Sequence, residues 1–168
     1  ATPEEQIILA RYVGWGGLAN AFSSTASGWE NEYQELKSLL TDVEYKAAMN
    51  STITAYYTEP DLIRHIYRAL ERFGFEGGPD RKILDPGMGT GNFYSVLPEQ
   101  FQGSKLFGVE LDSITGRIAK QLYPDADISI MGYEATKFED NSFDVILGNI
   151  PFNSVKIYDR RYNGLNPY

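Results

Sequence analysis

The sequence predicts an α/β fold, a parallel sheet covered by helices. Three observations predict it. From Pro60 onward, segments with helical spacing alternate with short apolar runs. Each apolar run is bounded by turn residues, as a buried strand is. A glycine-rich turn joins the first of these strands to the helix after it.

Residues 1–57 read as a small helical N-terminal region and residues 58–168 as the α/β domain. Thr2-Pro3-Glu4-Glu5 is a capping box with proline at the first helical position, and its helix is expected to fail at Gly14-Trp15-Gly16-Gly17. A second helix is predicted over Glu32 to Leu40, and Thr41-Asp42-Val43-Glu44 opens a third. Ser51 to Tyr57 is expected to be extended. Leu62, Ile63, Ile66, Tyr67, Leu70 and Phe73 then keep helical spacing up to Gly74. Strands follow at Lys82 to Asp85, Leu106 to Leu111, Ile128 to Met131 and Phe143 to Leu147. The helices between them are predicted over Asn92 to Phe101 and Ser113 to Tyr123, the latter stopped by Pro124.

Composition narrows the function classes. The chain has 168 residues, 42% hydrophobic and 23% charged, which suits one domain with a real core. No apolar run is long enough to span a bilayer, so no membrane partner is expected and the expected location is cytoplasmic. Cysteine is absent, which excludes disulfides and thiolate metal sites. His65 is the single histidine and falls in a predicted helix, so no metal site is expected. The net charge of −8 opposes a strong nucleic-acid-binding surface, because phosphate contact needs clustered Lys and Arg. That objection applies to this chain and not to a longer parent protein.

The strand Lys82 to Asp85 runs into Pro86-Gly87-Met88-Gly89-Thr90-Gly91-Asn92-Phe93. Glycines at a strand-to-helix turn let a ligand approach the backbone, and the amides there favour electron-rich atoms. Glu110 closes the next strand, 19 residues beyond Gly91, where a carboxylate usually accepts from ribose hydroxyls. A ribose-bearing cofactor is therefore expected. The glycines fall as G-x-G-x-G and not as the dinucleotide G-x-G-x-x-G, and Asp85 stands just before them. S-adenosylmethionine has no phosphate to cradle. Its ammonium end suits Asp85, and its carboxylate suits the backbone amides. A tight surface turn is the plainer reading of the glycines alone, but Asp85 and Glu110 in the right elements argue against it.

The strand Phe143 to Leu147 ends in Gly148-Asn149-Ile150-Pro151-Phe152, at the same sheet edge as the glycine turn. The exocyclic amine of adenine is a poor nucleophile, because its lone pair is delocalised into the ring. Two acceptors on its N–H bonds, the Asn149 side-chain oxygen and the Ile150 carbonyl, would push that nitrogen toward tetrahedral geometry. Pro151 would fix the turn, and Phe152 would offer a stacking face to a base turned out of the duplex. A simple strand-to-loop turn is the competing reading. Asn166-Pro167-Tyr168 has a similar look, but no apolar strand precedes it.

With these residues in hand, the chain resembles the adenine-specific DNA methyltransferases whose cofactor motif precedes their catalytic motif. Asp85 to Phe93 is similar to D-P-x-x-G-x-G-x-F, Asn149 to Phe152 to N-P-P-Y/F, and Ala55 to Pro60 to the Y-T-P segment that closes over the methionine end. The resemblance implies a Rossmann-like S-adenosylmethionine-dependent methyltransferase fold. It implies cofactor contacts at Tyr57, Thr58, Asp85, Gly87, Gly89, Gly91, Phe93, Glu110, Leu111 and Glu134. Arg11 to Gly17 and Gly108 to Ala119 resemble methylase–helicase fusion proteins of phages and conjugative elements. That likeness implies DNA as a partner through the parent protein, and a helicase-like region in the same parent chain. Ile150 departs from the family's first proline. Gly132-Tyr133-Glu134 places its acid one position later than the family's third cofactor motif does. Only 16 residues follow Phe152, so the sheet is expected to be C-terminally truncated and the isolated chain to bind cofactor without methylating.

Two other readings compete. A nicotinamide-dependent dehydrogenase shares the nucleotide fold but not the glycine spacing or Asp85. A non-catalytic module of a larger helicase-like protein would keep the fold without the chemistry. Methylation of a protein amide uses a similar loop, and the helicase-fusion likeness favours DNA over it.

Overall fold

The computed structural model describes residues 1–150. Four parallel strands form the sheet: β1 (Lys82–Asp85), β2 (Lys105–Glu110), β3 (Asp127–Ile130) and β4 (Val145–Ile146), in spatial order β3-β2-β1-β4. The order reverses between β1 and β4. Loops leaving those two strands therefore diverge and open a crevice at their carboxyl ends, the usual ligand position in such sheets.

The helices are α1 (Pro3–Leu9), α2 (Glu30–Leu39), α3 (Asp42–Ser51), α4 (Pro60–Arg72), α5 (Asn92–Ser95) and α6 (Ser113–Leu122). Both expected capping boxes form, Thr2 with Glu5 and Thr41 with Glu44. Gly74 ends α4 with a left-handed residue, and the Phe75 and Gly74 amides bond the carbonyls of Leu70 and Glu71. Ile63 and Tyr67 carry α4 onto the sheet. Ile83, Phe101, Ala119 and Ile128 extend that core. Among the N-terminal helices, a second cluster, Ala21, Phe22, Tyr45 and Ala48, with Tyr33 and Leu36 packed against it, joins α2 and α3. Helices α3 and α1 dock on α6 through Arg117 and Glu44, 2.5 Å apart, and through Gln6, whose Nε2 donates to the Gln121 carbonyl.

Several expectations are corrected. Helix α1 stops at Leu9, five residues before Gly14, in bonds from Arg11 to Ile8 and from Tyr12 to Leu9. Helix α2 begins earlier than expected, at Glu30. Ser51 to Tyr57 is not extended: α3 runs to Ser51, and turns with Thr52 and Thr54 amides bonded to Met49 and Ser51 follow. The single helix expected over 92–101 breaks. Pro98 disfavours helical backbone at Leu97, leaving α5 and a separate 3-10 turn, Glu99–Phe101. Strand β4 is shorter than expected, because Phe143 leaves the ladder to pack edge-on against Phe107 and Phe138. The ladder still continues at both ends, with Asp144 N–H bonding Lys82 and Leu147 N–H bonding Leu84.

Among the described residues, no helix is long and apolar enough to cross a membrane, and no three His, Asp or Glu side chains gather as a metal site. His65 is exposed, with Nδ1 2.6 Å from the Asp61 carbonyl of its own helix.

Candidate active site

Strand β1 delivers Asp85 to the crevice 1% exposed. Its backbone N–H donates to the Tyr94 hydroxyl at 3.2 Å, and that hydroxyl donates in turn to the Phe107 carbonyl. Its Oδ1 accepts the Gly87 N–H at 3.1 Å. Burial dominates its acidity and pushes the carboxyl up to about 7, against the lowering by the Gly87 amide. A buried acid with so little compensation suits a cation.

The glycine turn folds back over β2. Met88 N–H donates to the Val109 carbonyl at 3.0 Å, and Gly89 N–H donates to Glu110 Oε2 at 2.9 Å. The Met88 side chain is buried against Gly108, where any side chain on the strand would meet its sulfur. Glu110 Oε1 accepts the Asp112 N–H at 2.7 Å. Burial pushes the Glu110 carboxyl up, while its backbone bonds pull it down. Glu110 thus fastens the turn to the start of α6. Its oxygens keep lone pairs for further donors, since a carboxylate accepts about four bonds.

Around this centre stand the other expected residues. Tyr57 lies on the turn: a Cβ at Gly89 would come 2.6 Å from its Cε1. Burial, then the charges of Tyr12, Glu110 and Asp112 nearby, push its hydroxyl above the ordinary tyrosine range, so it stays neutral. The Thr58 carbonyl accepts from Asn92 Nδ2 at 3.3 Å, and its buried Oγ1 has no partner. Leu111 is 68% exposed beside Glu110. After β3, a 3-10 turn, Tyr133–Ala135, brings the Glu134 carboxylate back over Gly132, where a Cβ would stand 2.5 Å from Oε2. The acid displaced by one position in sequence so returns to the glycine in space. Phe93 packs its ring into the sheet core, 4% exposed.

The loop after β4 closes the other side. Gly148 passes against the Asp85 carboxylate, leaving no room for a side chain. Asn149 Nδ2 donates to the Tyr56 carbonyl at 3.1 Å. Ile150 is exposed, and Pro151 and Phe152 lie outside the described residues. Three contacts escaped sequence reasoning: Tyr94 behind Asp85, Gly108 beneath Met88, and the Tyr56 carbonyl. Only Gly108 carried a signal, as an isolated glycine within a strand marks close approach.

The donor set fits S-adenosylmethionine. It offers a buried acid for an ammonium, an acid at the second strand end with lone pairs to spare, and a buried Thr58 hydroxyl without a partner.

Comparison with known proteins agrees. A family model described as a methyltransferase domain matches residues 83–162. The chain is 27% identical over 120 residues to the Defense against restriction protein B of Escherichia phage P1, covering 70% of this chain and 5% of that protein. It is 32% identical over 78 residues to the Modification methylase CviBIII of Paramecium bursaria Chlorella virus NC1A, covering 46% of this chain and 21% of that protein. The chain thus spans a small part of the curated relatives it matches. Among solved structures, the type I restriction-modification system methyltransferase subunit of Streptococcus thermophilus superposes with a TM-score of 0.51 at 16% identity, covering 86% of this chain and 37% of that one. The fold is the Rossmann-like fold of S-adenosylmethionine-dependent methyltransferases.

Proposed function

We propose that this chain carries the S-adenosylmethionine-binding part of an enzyme that methylates the exocyclic amino group of adenine in DNA. The observation that carries the reading is the orientation of Asn149. Its partner, the Tyr56 carbonyl, can only accept, so the amide nitrogen must face it. The amide oxygen is then left as an acceptor, one residue after the Gly148 that lies against Asp85.

When bound, the cofactor supplies a methyl group on an electron-poor sulfur. Asp85 would hold its ammonium and Glu110 its ribose, while Gly87, Gly89 and Gly91 keep the turn beside them, their own amides bonded to Asp85, Glu110 and the Met88 carbonyl. Leu111 and Glu134 flank its adenine, and Tyr57 and Thr58 cover the methionine end. The Asn149 oxygen and the Ile150 carbonyl accept from the target amine. They raise its nucleophilicity by drawing it out of conjugation, and positioning supplies much of the effect. Phe152 stacks the extruded base.

Two of the relatives bear on the acceptor: one is named a modification methylase and another a defence against restriction. The net charge of −8 suits a grip on DNA made by other parts of a longer parent protein, a helicase-like region among them.

Calorimetric titration separates the cofactor classes: S-adenosylhomocysteine is expected to bind and a nicotinamide dinucleotide not to. Methyl transfer by the full-length parent is expected into DNA containing adenine, and not into the same DNA with hypoxanthine in its place. Equal labelling of both, or none of either, would overturn the adenine assignment.

A further inference from the structure

The Gly14-Trp15-Gly16-Gly17 segment has no part in the proposed chemistry, yet it touches the cofactor crevice from two sides. A Cβ at Gly14 would stand 2.6 Å from Tyr57 Cε2 and 2.8 Å from its hydroxyl oxygen. The opposite edge of the same ring lies on Gly89. Trp15 Nε1 donates to Asp112 Oδ2 at 3.2 Å, and its ring packs edge-on against Tyr12 and Phe22. Gly16 passes against the Ala55 carbonyl with no room for a side chain, and Gly17 N–H donates to the Thr52 carbonyl at 3.0 Å. The contacts close a ring: Trp15 to Asp112, Asp112 to Glu110, Glu110 to Gly89, Gly89 to Tyr57, Tyr57 to Gly14.

We propose that Gly14 and Trp15 are positioning residues for cofactor binding, clamping the Tyr57 ring between the N-terminal segment and the Gly89 turn. Trp15 anchors the segment at the N-cap of α6, and Gly14 sets the height of the ring over the turn. Only glycine fits there, because its φ is +74° and because the ring occupies the space a side chain needs. The inference rests on the proposed S-adenosylmethionine site and adds the N-terminal segment to its wall.

Gly17 supplies a matched control. Its φ is +77°, so alanine there strains the backbone similarly, but nothing lies within 4 Å of the added carbon. Calorimetric titration with S-adenosylhomocysteine is expected to show Gly14→Ala weakened about five-fold or more relative to Gly17→Ala, as for coupled neighbours. In a Tyr57→Ala background, the ring is gone and Gly14→Ala is expected to cost no more than Gly17→Ala. Emission supplies a readout independent of affinity. With Trp29→Phe, the remaining Trp15 is expected to shift on ligand addition; with Trp15→Phe, the remaining Trp29 is not. Equal affinities for the two glycine variants, or tighter binding by Gly14→Ala, would overturn the clamp while leaving the cofactor site standing. Failure of the unaltered chain to bind the ligand would overturn the cofactor site and the clamp together.

Discussion

Gly148 lies against the carboxylate of Asp85, so the loop after β4 and the turn after β1 meet at one buried acid. Pro86 Cδ stands 3.3 Å from the position of a Cβ at Gly148 and closes the remaining side. The two elements that the fold brings together at its switch point are thus in direct contact, and a side chain at Gly148 acts on both.

Gly148→Ala is expected to destabilise the protein by about 1–3 kcal/mol, the usual cost of overpacking, and to weaken cofactor binding as Asp85 is displaced. Thermal denaturation and ligand titration read the two effects. The pair Asp85→Ala and Gly148→Ala removes the opposing carboxylate and is expected to recover much of the stability but none of the affinity. A Gly148→Ala protein that melts and binds like its parent would show that the contact is easily relieved.

Asp85 ties stability and binding to pH in opposite senses. Its carboxyl is raised from 3.8 to about 7 by burial. Between those values the unfolded chain releases the proton and the folded protein keeps it, so stability falls as pH rises from about 4 to about 7 and then levels. The gap corresponds to on the order of 4 kcal/mol at one buried group. Asp85→Asn is therefore expected to flatten that profile and to raise stability at pH 8. A cationic ligand needs the ionised form, so the parent's affinity is expected to increase with pH through about 7, and that dependence is lost in Asp85→Asn. Denaturant melts and titrations from pH 5 to 8 measure both. A parent stability that rises over this window would contradict the assignment.

Glu110 holds one backbone amide with each oxygen, Gly89 at 2.9 Å and Asp112 at 2.7 Å. Glutamine keeps one acceptor and turns a donor toward the other amide. Glu110→Gln is thus expected to lose about 1–3 kcal/mol of cofactor affinity, through the turn as well as the ribose. Hydrogen exchange at the Gly89 amide separates the two routes: exchange accelerated without ligand reports the loosened turn.

The central elements were legible because each carried a local signal. β1 matched residue for residue, since Asp85-Pro86 and the glycines punctuate it. Gly74 and both capping boxes worked through backbone chemistry that needs no distant partner. The misreadings were tertiary. Phe143 looks like strand, but two other aromatic rings draw it off the ladder. The site's cross-links, Gly148 to Asp85 and Asn149 to Tyr56, join residues 63 and 93 positions apart, beyond the reach of local periodicity.

The bond from Asn149 to the Tyr56 carbonyl makes the final prediction sharper than loss of a side chain alone. In the full-length parent, Asn149→Ala removes the acceptor for the target amine. That acceptor bond strengthens as the nitrogen becomes tetrahedral, so its loss lowers turnover and not ground-state cofactor binding. Turnover is expected to fall by roughly 100-fold or more, with cofactor affinity within a few-fold. Asn149→Asp tests the orientation. It keeps an acceptor for the target but sets a carboxylate against the Tyr56 carbonyl, 3.1 Å away in the parent, where both groups accept and repel. The loop is then expected to be pushed off the Tyr56 segment, and turnover to fall as far as in Asn149→Ala. Single-turnover methylation of adenine-containing DNA, with cofactor titration alongside, measures each variant. Parental turnover in Asn149→Ala would remove the loop from the chemistry. Parental turnover in Asn149→Asp alone would show that the Tyr56 bond does not orient the amide.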